Sequence, residues 1–206
     1  MIYFPAFLNL ESKNVMVCGG GKHALEKVNR LKAFHPKITV LSKEICRELE
    51  EDQTVHRLYR PVEESDAASL PDMVISAESH NENCRIGNLC RKYRVLFNAV
   101  DQQKDCNFIF PAMIAQEPLC IGISSAGESP ALAVELKRQI ADLLPEHLDT
   151  LLSWLPGIRK KVYEDISDPD IRKKVLRKIV QEAFSQDACL TDEQINIIYH
   201  NSTFPC

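Results

Sequence analysis

With 206 residues, 45% apolar and 26% charged, the chain can bury a sizeable core without covalent staples. Its net charge of −4 argues against a nucleic-acid binder, which needs a basic face, but leaves room for a local basic pocket around an acidic ligand. The eight cysteines form no CxxC pair and Cys18 and Cys120 sit in apolar runs, so reduced thiols in a cytoplasmic protein are expected rather than disulfides or structural zinc.

The first segment, MIYFPAFLNLESK, lacks the basic-then-apolar order of a signal peptide, and no run of about 18 apolar residues suggests a membrane span. Asn14–Cys18 reads as a compact apolar strand, after which Ala24, Val28 and Leu31 recur at helical spacing. Residues 38–41 (ITVL) and 72–77 (DMVISA) read as the second and third strands. Ile86, Leu89, Cys90 and Tyr93 keep the i, i+3, i+4, i+7 rhythm of an amphipathic helix, and residues 95–100 and 119–124 complete the strand series. Doubly buried strands separated by helices imply an α/β fold with a mostly parallel, Rossmann-like sheet. Pro130 can open a helix striped by Leu132, Leu136, Ile140 and Leu143. No strand is expected beyond Pro145. Three helices are expected there, with breaks near Pro156–Gly157, at Asp168–Pro169 and around residues 185–190, and Thr191 with Gln194 spells a capping box.

Gly19-Gly20-Gly21-Lys22-His23-Ala24 matches G-x-G-x-x-A between a strand and a helix, the context a dinucleotide turn requires. Gly19 permits the tight turn, Gly21 lets a diphosphate touch bare backbone, and Ala24 keeps the helix close to the sheet. The alternative is a plain structural turn. It is not a P-loop, because no Gly-Lys-Ser/Thr follows. The second strand ends Leu41-Ser42-Lys43-Glu44 rather than in the acid that usually grips a ribose 2′-hydroxyl, which leaves NAD and NADP both open.

Asp101, just past the strand at 95–100, is the candidate base, set against the reading of a simple turn residue. Ser124-Ser125-Ala126-Gly127-Glu128-Ser129 is a second small-residue loop, able to hold carboxylates or to serve only as a connection with Ser129 capping the next helix. His147, His23, Lys22 and Lys104 are open between chemistry and surface roles. No set of His, Cys and Asp has the spacing of a permanent metal site.

Three stretches, FPAFLNLESKNVMVCGGG, NAVDQQKDCNFIFPA and ISSAGESPALAVELKRQI, followed by LLPEHLDTLL, occur in an order that resembles the precorrin-2 dehydrogenase/sirohydrochlorin ferrochelatase family of siroheme biosynthesis. The resemblance implies NAD-dependent oxidation of precorrin-2, with insertion of ferrous iron into sirohydrochlorin in many members. It implies that Gly19, Gly21, Lys22 and His23 hold the diphosphate and that Lys43 and Glu44 border the adenosine. Asp101 falls on the family's catalytic aspartate, and Ser125, with Ser124 and Lys104 nearby, on the tetrapyrrole-binding region. It further implies a homodimer, with residues 1–112 as the NAD-binding part, 113–145 as the dimerisation segment and 146–206 as a helical domain. Lys104, Arg138 or residues of the helical tail can pair with the substrate's carboxylates. Ala77-Glu78-Ser79-His80-Asn81 departs from the family's usual Thr-Asp or Thr-Asn, and the methyltransferase domain fused in some relatives is missing, so methylation is expected elsewhere. A chelatase that has lost its redox role and a non-catalytic tetrapyrrole carrier or sensor are the competing readings.

Overall fold

The computed structural model describes residues 3–69 and 71–203. Five parallel strands, β1 (Asn14–Cys18), β2 (Lys37–Leu41), β3 (Val55–Leu58), β4 (Met73–Ser76) and β5 (Leu96–Ala99), form a sheet of order β3-β2-β1-β4-β5. That order reverses direction between β1 and β4, the crevice where open α/β sheets take ligands. Alternation along the strands feeds two cores. Val15, Val17, Ile38, Val40 and Ile75 face α1 (Lys22–Lys32), which returns Ala24, Val28 and Leu31. Met16, Cys18, Val74, Phe97 and Ala99 face α4 (His80–Tyr93), which supplies Ile86 and Cys90. Both faces of the inner strands are covered, which explains their unbroken apolar runs.

Several sequence expectations need correction. β3 was not foreseen: VHRL is polar because the strand is an edge, with Arg57 donating to the carbonyls of Leu49 and Asp52 at 3.1 and 2.6 Å. It is joined to its neighbours by two short helices, α2 (Arg47–Glu51) and α3 (Glu64–Ala68). The strand at 119–124 does not extend the parallel sheet. β7 (Leu119–Ile123) pairs antiparallel with β6 (Ala112–Gln116) in a separate hairpin, because two intervening residues are too few for a crossover. α5 (Pro130–Asp142) packs on that hairpin through Ala133, while Leu132, Leu136 and Leu143 of the expected stripe are exposed.

The helical remainder comprises α6 (Leu148–Asp165), α7 (Pro169–Gln186) and α8 (Asp192–Thr203). α6 runs through Pro156 without the expected break, since Leu151, Ile158 and Val162 on either side are anchored in one core with Val175, Ile179 and Ile195. The Thr191 box is formed, with Gln194 N–H donating to Thr191 Oγ1 at 3.3 Å and Thr191 N–H to Gln194 Oε1 at 2.8 Å. Asp168 caps α7 through the N–H groups of Asp170 and Ile171 at 2.8 and 3.1 Å. Asp187, left-handed at the end of α7, accepts from the N–H groups of Glu146 and His147 at 3.1 and 3.3 Å and so closes one helix while steadying the start of another. By its internal contacts the chain forms two compact units: one runs up to Pro111 and includes Ala126–Glu128, the other takes Ala112–Ser125 and everything from Ser129 onward. Among the described residues, no helix is long and apolar enough to cross a membrane.

Candidate functional site

β1 ends at Cys18 and the chain turns sharply at Gly19, whose φ of +109° suits glycine and whose N–H donates to Leu41 O at 2.8 Å. A Cβ there would lie 2.8 Å from the carbonyl oxygen of Ala77, at the end of β4. Gly20 is held more tightly still: its carbonyl accepts Cys46 N–H at 2.8 Å, and a Cβ would stand 2.0 Å from Glu44 O and 2.7 Å from Ile45 Cα. Gly21 is different. It has ordinary extended dihedrals, and nothing lies within 4 Å of the position its Cβ would take. Two glycines are therefore demanded by packing, and the third leaves a cradle.

That cradle opens onto the start of α1. The helix has no side-chain cap and no acid in its first turn, and places Lys22 and His23 there, exposed. The Lys22 ammonium at a helix N-terminus opposes the helix dipole, an arrangement that favours an added anion. Ala24, 1% exposed, lets the helix lie against the sheet. The residues present thus fit the diphosphate of a dinucleotide. Lys43 and Glu44 are exposed in the loop after β2, and it is the Glu44 main chain that abuts Gly20.

Glu78 follows β4 and is half-buried; burial, and then the neighbouring Glu82, raise its pKa from the ordinary carboxylate value. Its N–H donates to Asn83 Oδ1 at 3.2 Å, fixing the approach to α4.

Asp101 stands in the turn after β5, at the carboxyl edge of the sheet, exposed and with a left-handed φ of +60°. Cys106 pins that turn: its sulfur accepts Ala99 N–H at 3.1 Å and donates to Gln102 O at 3.3 Å. Asn107 covers the open edge of β5, its side chain accepting Phe97 N–H at 2.7 Å and donating to Val95 O at 3.1 Å. On the other side, the Gln102 amide reaches His80 Nδ1 at 2.5 Å. Lys27 of α1 is half-buried, which together with Arg30 lowers its pKa, while Glu26 and Asp101 act in the opposite sense. Its ammonium lies 5.1 Å from the centre of the Phe110 ring.

Lys104 is exposed on the 3-10 turn Gln103–Asp105. Ser124 and Ser125 belong to the other compact unit, where Ser125 Oγ accepts Ser129 N–H at 3.0 Å and Ser129 Oγ accepts Leu132 N–H at 3.3 Å, the expected cap. Arg138 is exposed and pairs with Glu135 and Asp142 on its own helix at 2.8 and 2.9 Å. His147 is exposed at the start of α6. The first unit thus brings Gly19, Gly21, Lys22, His23, Lys43, Glu44, Asp101 and Lys104 to one edge of its sheet. Sequence reading missed Gly20, Cys106 and Asn107, whose roles depend on segments distant from the motif or on main-chain partners. Among the described residues, no three His, Cys, Asp or Glu side chains are placed to hold a metal ion.

A parallel sheet whose first turn offers bare backbone and a cationic helix start defines a dinucleotide-binding protein. Residues 6–112 match the family described as "Putative NAD(P)-binding", and the chain belongs to that family. It is 30% identical over 184 residues to the siroheme synthase of Thioalkalivibrio sulfidiphilus, covering 88% of this chain and 38% of that protein. It is 32% identical over 165 residues to the siroheme synthase of Pseudoalteromonas translucida, covering 79% of this chain and 35% of that one. The chain therefore spans well under half the length of these curated relatives. The solved structure of SirC, precorrin-2 dehydrogenase, shares the fold, with a TM-score of 0.70 at 17% identity over 98% of this chain and 99% of that one. The kinship expected from the three sequence stretches is borne out.

Proposed function

We propose that this protein removes two hydrogens from precorrin-2, giving sirohydrochlorin, with NAD as the acceptor. The observation that carries the reading is the pairing, on one sheet edge, of an open Gly21 cradle with the carboxylate of Asp101. The likeness to siroheme synthases along most of the chain supports the choice of substrate.

NAD supplies the two-electron chemistry by accepting a hydride; the remaining hydrogen leaves as a proton, so precorrin-2 and NAD⁺ yield sirohydrochlorin, NADH and H⁺. The backbone at Gly19 and Gly21, with Lys22 and His23, receives the diphosphate, and Lys43 and Glu44 border the adenosine. Asp101 accepts the departing proton on a carboxylate oxygen. Ser124, Ser125 and Lys104 receive the polar edge of the tetrapyrrole, whose carboxylates suit hydroxyl and ammonium donors. Ferrous iron is a further substrate, with Asp101 taking protons from the pyrrole nitrogens. Seven cysteines in the described residues are free thiols, which favours a cytoplasmic setting. The exposed Leu132, Val134, Leu136 and Leu143 of α5 and the residue after it support association into a homodimer.

The test is turnover by purified protein given NAD and precorrin-2, followed at the NADH and sirohydrochlorin absorbance bands. Absence of both products removes the dehydrogenase reading. A second arm supplies sirohydrochlorin with Fe²⁺ and reads siroheme, which alone would leave a chelatase.

A further inference from the structure

The loop from Ser124 to Ser129 is pinned at its base by the Ser129 N–H to Ser125 Oγ bond of 3.0 Å. Its crest is strained. Ala126 and Gly127 are successive left-handed residues, at φ of +53° and +88°, a region in which an alanine meets steric resistance.

Gln103 holds that crest in place. Its Nε2 donates to Ala126 O at 2.8 Å and lies 3.3 Å from the Tyr3 hydroxyl. Its Oε1 fills the space a side chain at 127 would need, 1.9 Å from the position of an added Cβ. The fit is mutual: glycine at 127 admits the glutamine, and the glutamine satisfies the carbonyl that the left-handed turn presents. Gln103 is also two residues from Asp101, in the same turn that Cys106 pins through Ala99 and Gln102. One short segment therefore carries both the candidate base and the peg for the serine loop. The glycine turn rests instead on Ala77, Glu44 and Ile45.

We infer that Gln103 is a positioning residue that ties the crest of the serine loop to the Asp101 turn and so sets how Ser124 and Ser125 meet the tetrapyrrole. The inference rests on the proposed function above. Holding the crest restricts the serines through the covalent chain, so its release blurs substrate placement while leaving the dinucleotide untouched.

The experiment compares wild type, Gln103→Met, Gln103→Ala, Gly127→Ala and the Gln103→Ala/Gly127→Ala double variant. Gln103→Met keeps the length of the side chain and removes its donor. Sirohydrochlorin and NAD are titrated separately, and KM and kcat are measured with precorrin-2. Each single variant is expected to raise the sirohydrochlorin Kd and the precorrin-2 KM about tenfold, the scale of one lost hydrogen bond, with the NAD Kd unchanged. The kcat should stay within about threefold, and the double variant should be no worse than the weaker single, since both release the same loop. A purely structural role would lower Tm and the active fraction but leave Kd and KM of the folded protein as they were. Wild-type sirohydrochlorin affinity and KM in both Gln103→Met and Gly127→Ala overturn the inference alone. A wild type that neither binds sirohydrochlorin nor reduces NAD with precorrin-2 overturns the function and the inference together.

Discussion

Replacing Gly21 by alanine adds a methyl group where no atom lies within 4 Å, on a backbone with φ −90° and ψ −169° that any residue adopts. The folded state therefore loses nothing by contact. Restricting the unfolded chain stabilises by about 0.4–1 kcal/mol, while alanine is a poorer first cap than glycine by a few tenths to about 1 kcal/mol. The two nearly cancel, so Tm should stay within about 3 °C of wild type. The same change at Gly20 places the methyl 2.0 Å from Glu44 O and 2.7 Å from Ile45 Cα, both main-chain atoms that cannot swing aside. Overpacking costs about 1–3 kcal/mol, and disturbing the Cys46 N–H to Gly20 O bond adds about 1, so Tm should fall by roughly 5–10 °C. For NAD the order reverses in meaning. In Gly21→Ala the methyl stands between the diphosphate and the helix donors, and loss of one charge-assisted hydrogen bond, about 1.5–3 kcal/mol, weakens binding at least tenfold. Thermal unfolding without ligand and calorimetric titration with NAD separate the two effects. A Gly21→Ala protein that binds NAD like wild type would refute the argument, because the cofactor would then not pass over that backbone.

Asp101→Asn should keep NAD affinity, since asparagine tolerates the left-handed φ of +60°, and cut precorrin-2 turnover by about 10²–10⁴-fold; turnover near the wild-type rate removes Asp101 as the base. Glu78 has a folded pKa above its ordinary 4.5, so the folded state binds the proton more tightly and stability declines as pH rises through that window. Glu78→Gln should therefore gain on wild type between pH 4 and pH 7 in urea midpoint, and a difference independent of pH would contradict the assignment. Burial opposes ionisation of Asp52, but Lys32 and Thr54 outweigh it and bring its pKa from 3.8 to about 2. Its contribution is complete above the unfolded value and is lost as pH falls toward about 2, so Asp52→Asn should be less stable at pH 7 and show a flatter acid limb. An unchanged acid limb in circular dichroism would count against that pairing.

The inner strands and the glycine helix were legible because burial on both sides leaves apolar runs that periodicity detects: Val17 and Val40 are fully buried, and Val28 meets them at helical spacing. β3 escaped because an edge strand can carry His56 and Arg57 and still hold its register with β2. The stripe on α5 was visible, but a periodic pattern says which face is apolar and not what covers it. Pro156 misled for a related reason. Local propensity disfavours proline within a helix, yet anchoring at Leu151, Ile158 and Val162 outweighs one missing hydrogen bond. In the site, G-x-G-x-x-A located the turn but left its middle residue unspecified, and the reason Gly20 must be glycine lies more than twenty residues away at Glu44. Cys106 and Asn107 act on main-chain groups, which no side-chain pattern encodes.

The path of the chain has a practical corollary. Because Ala126–Glu128 steps back among the residues before Pro111, the polypeptide passes between the two compact units three times rather than once. No single cut, by protease or by cloning, yields both parts whole. A fragment stopped at Pro111 would leave the Gln103 amide without the carbonyl it serves, and a fragment begun at Ala112 would carry an orphaned crest. Intact halves call for a circularly permuted or internally bridged gene, in which that three-residue excursion is supplied separately.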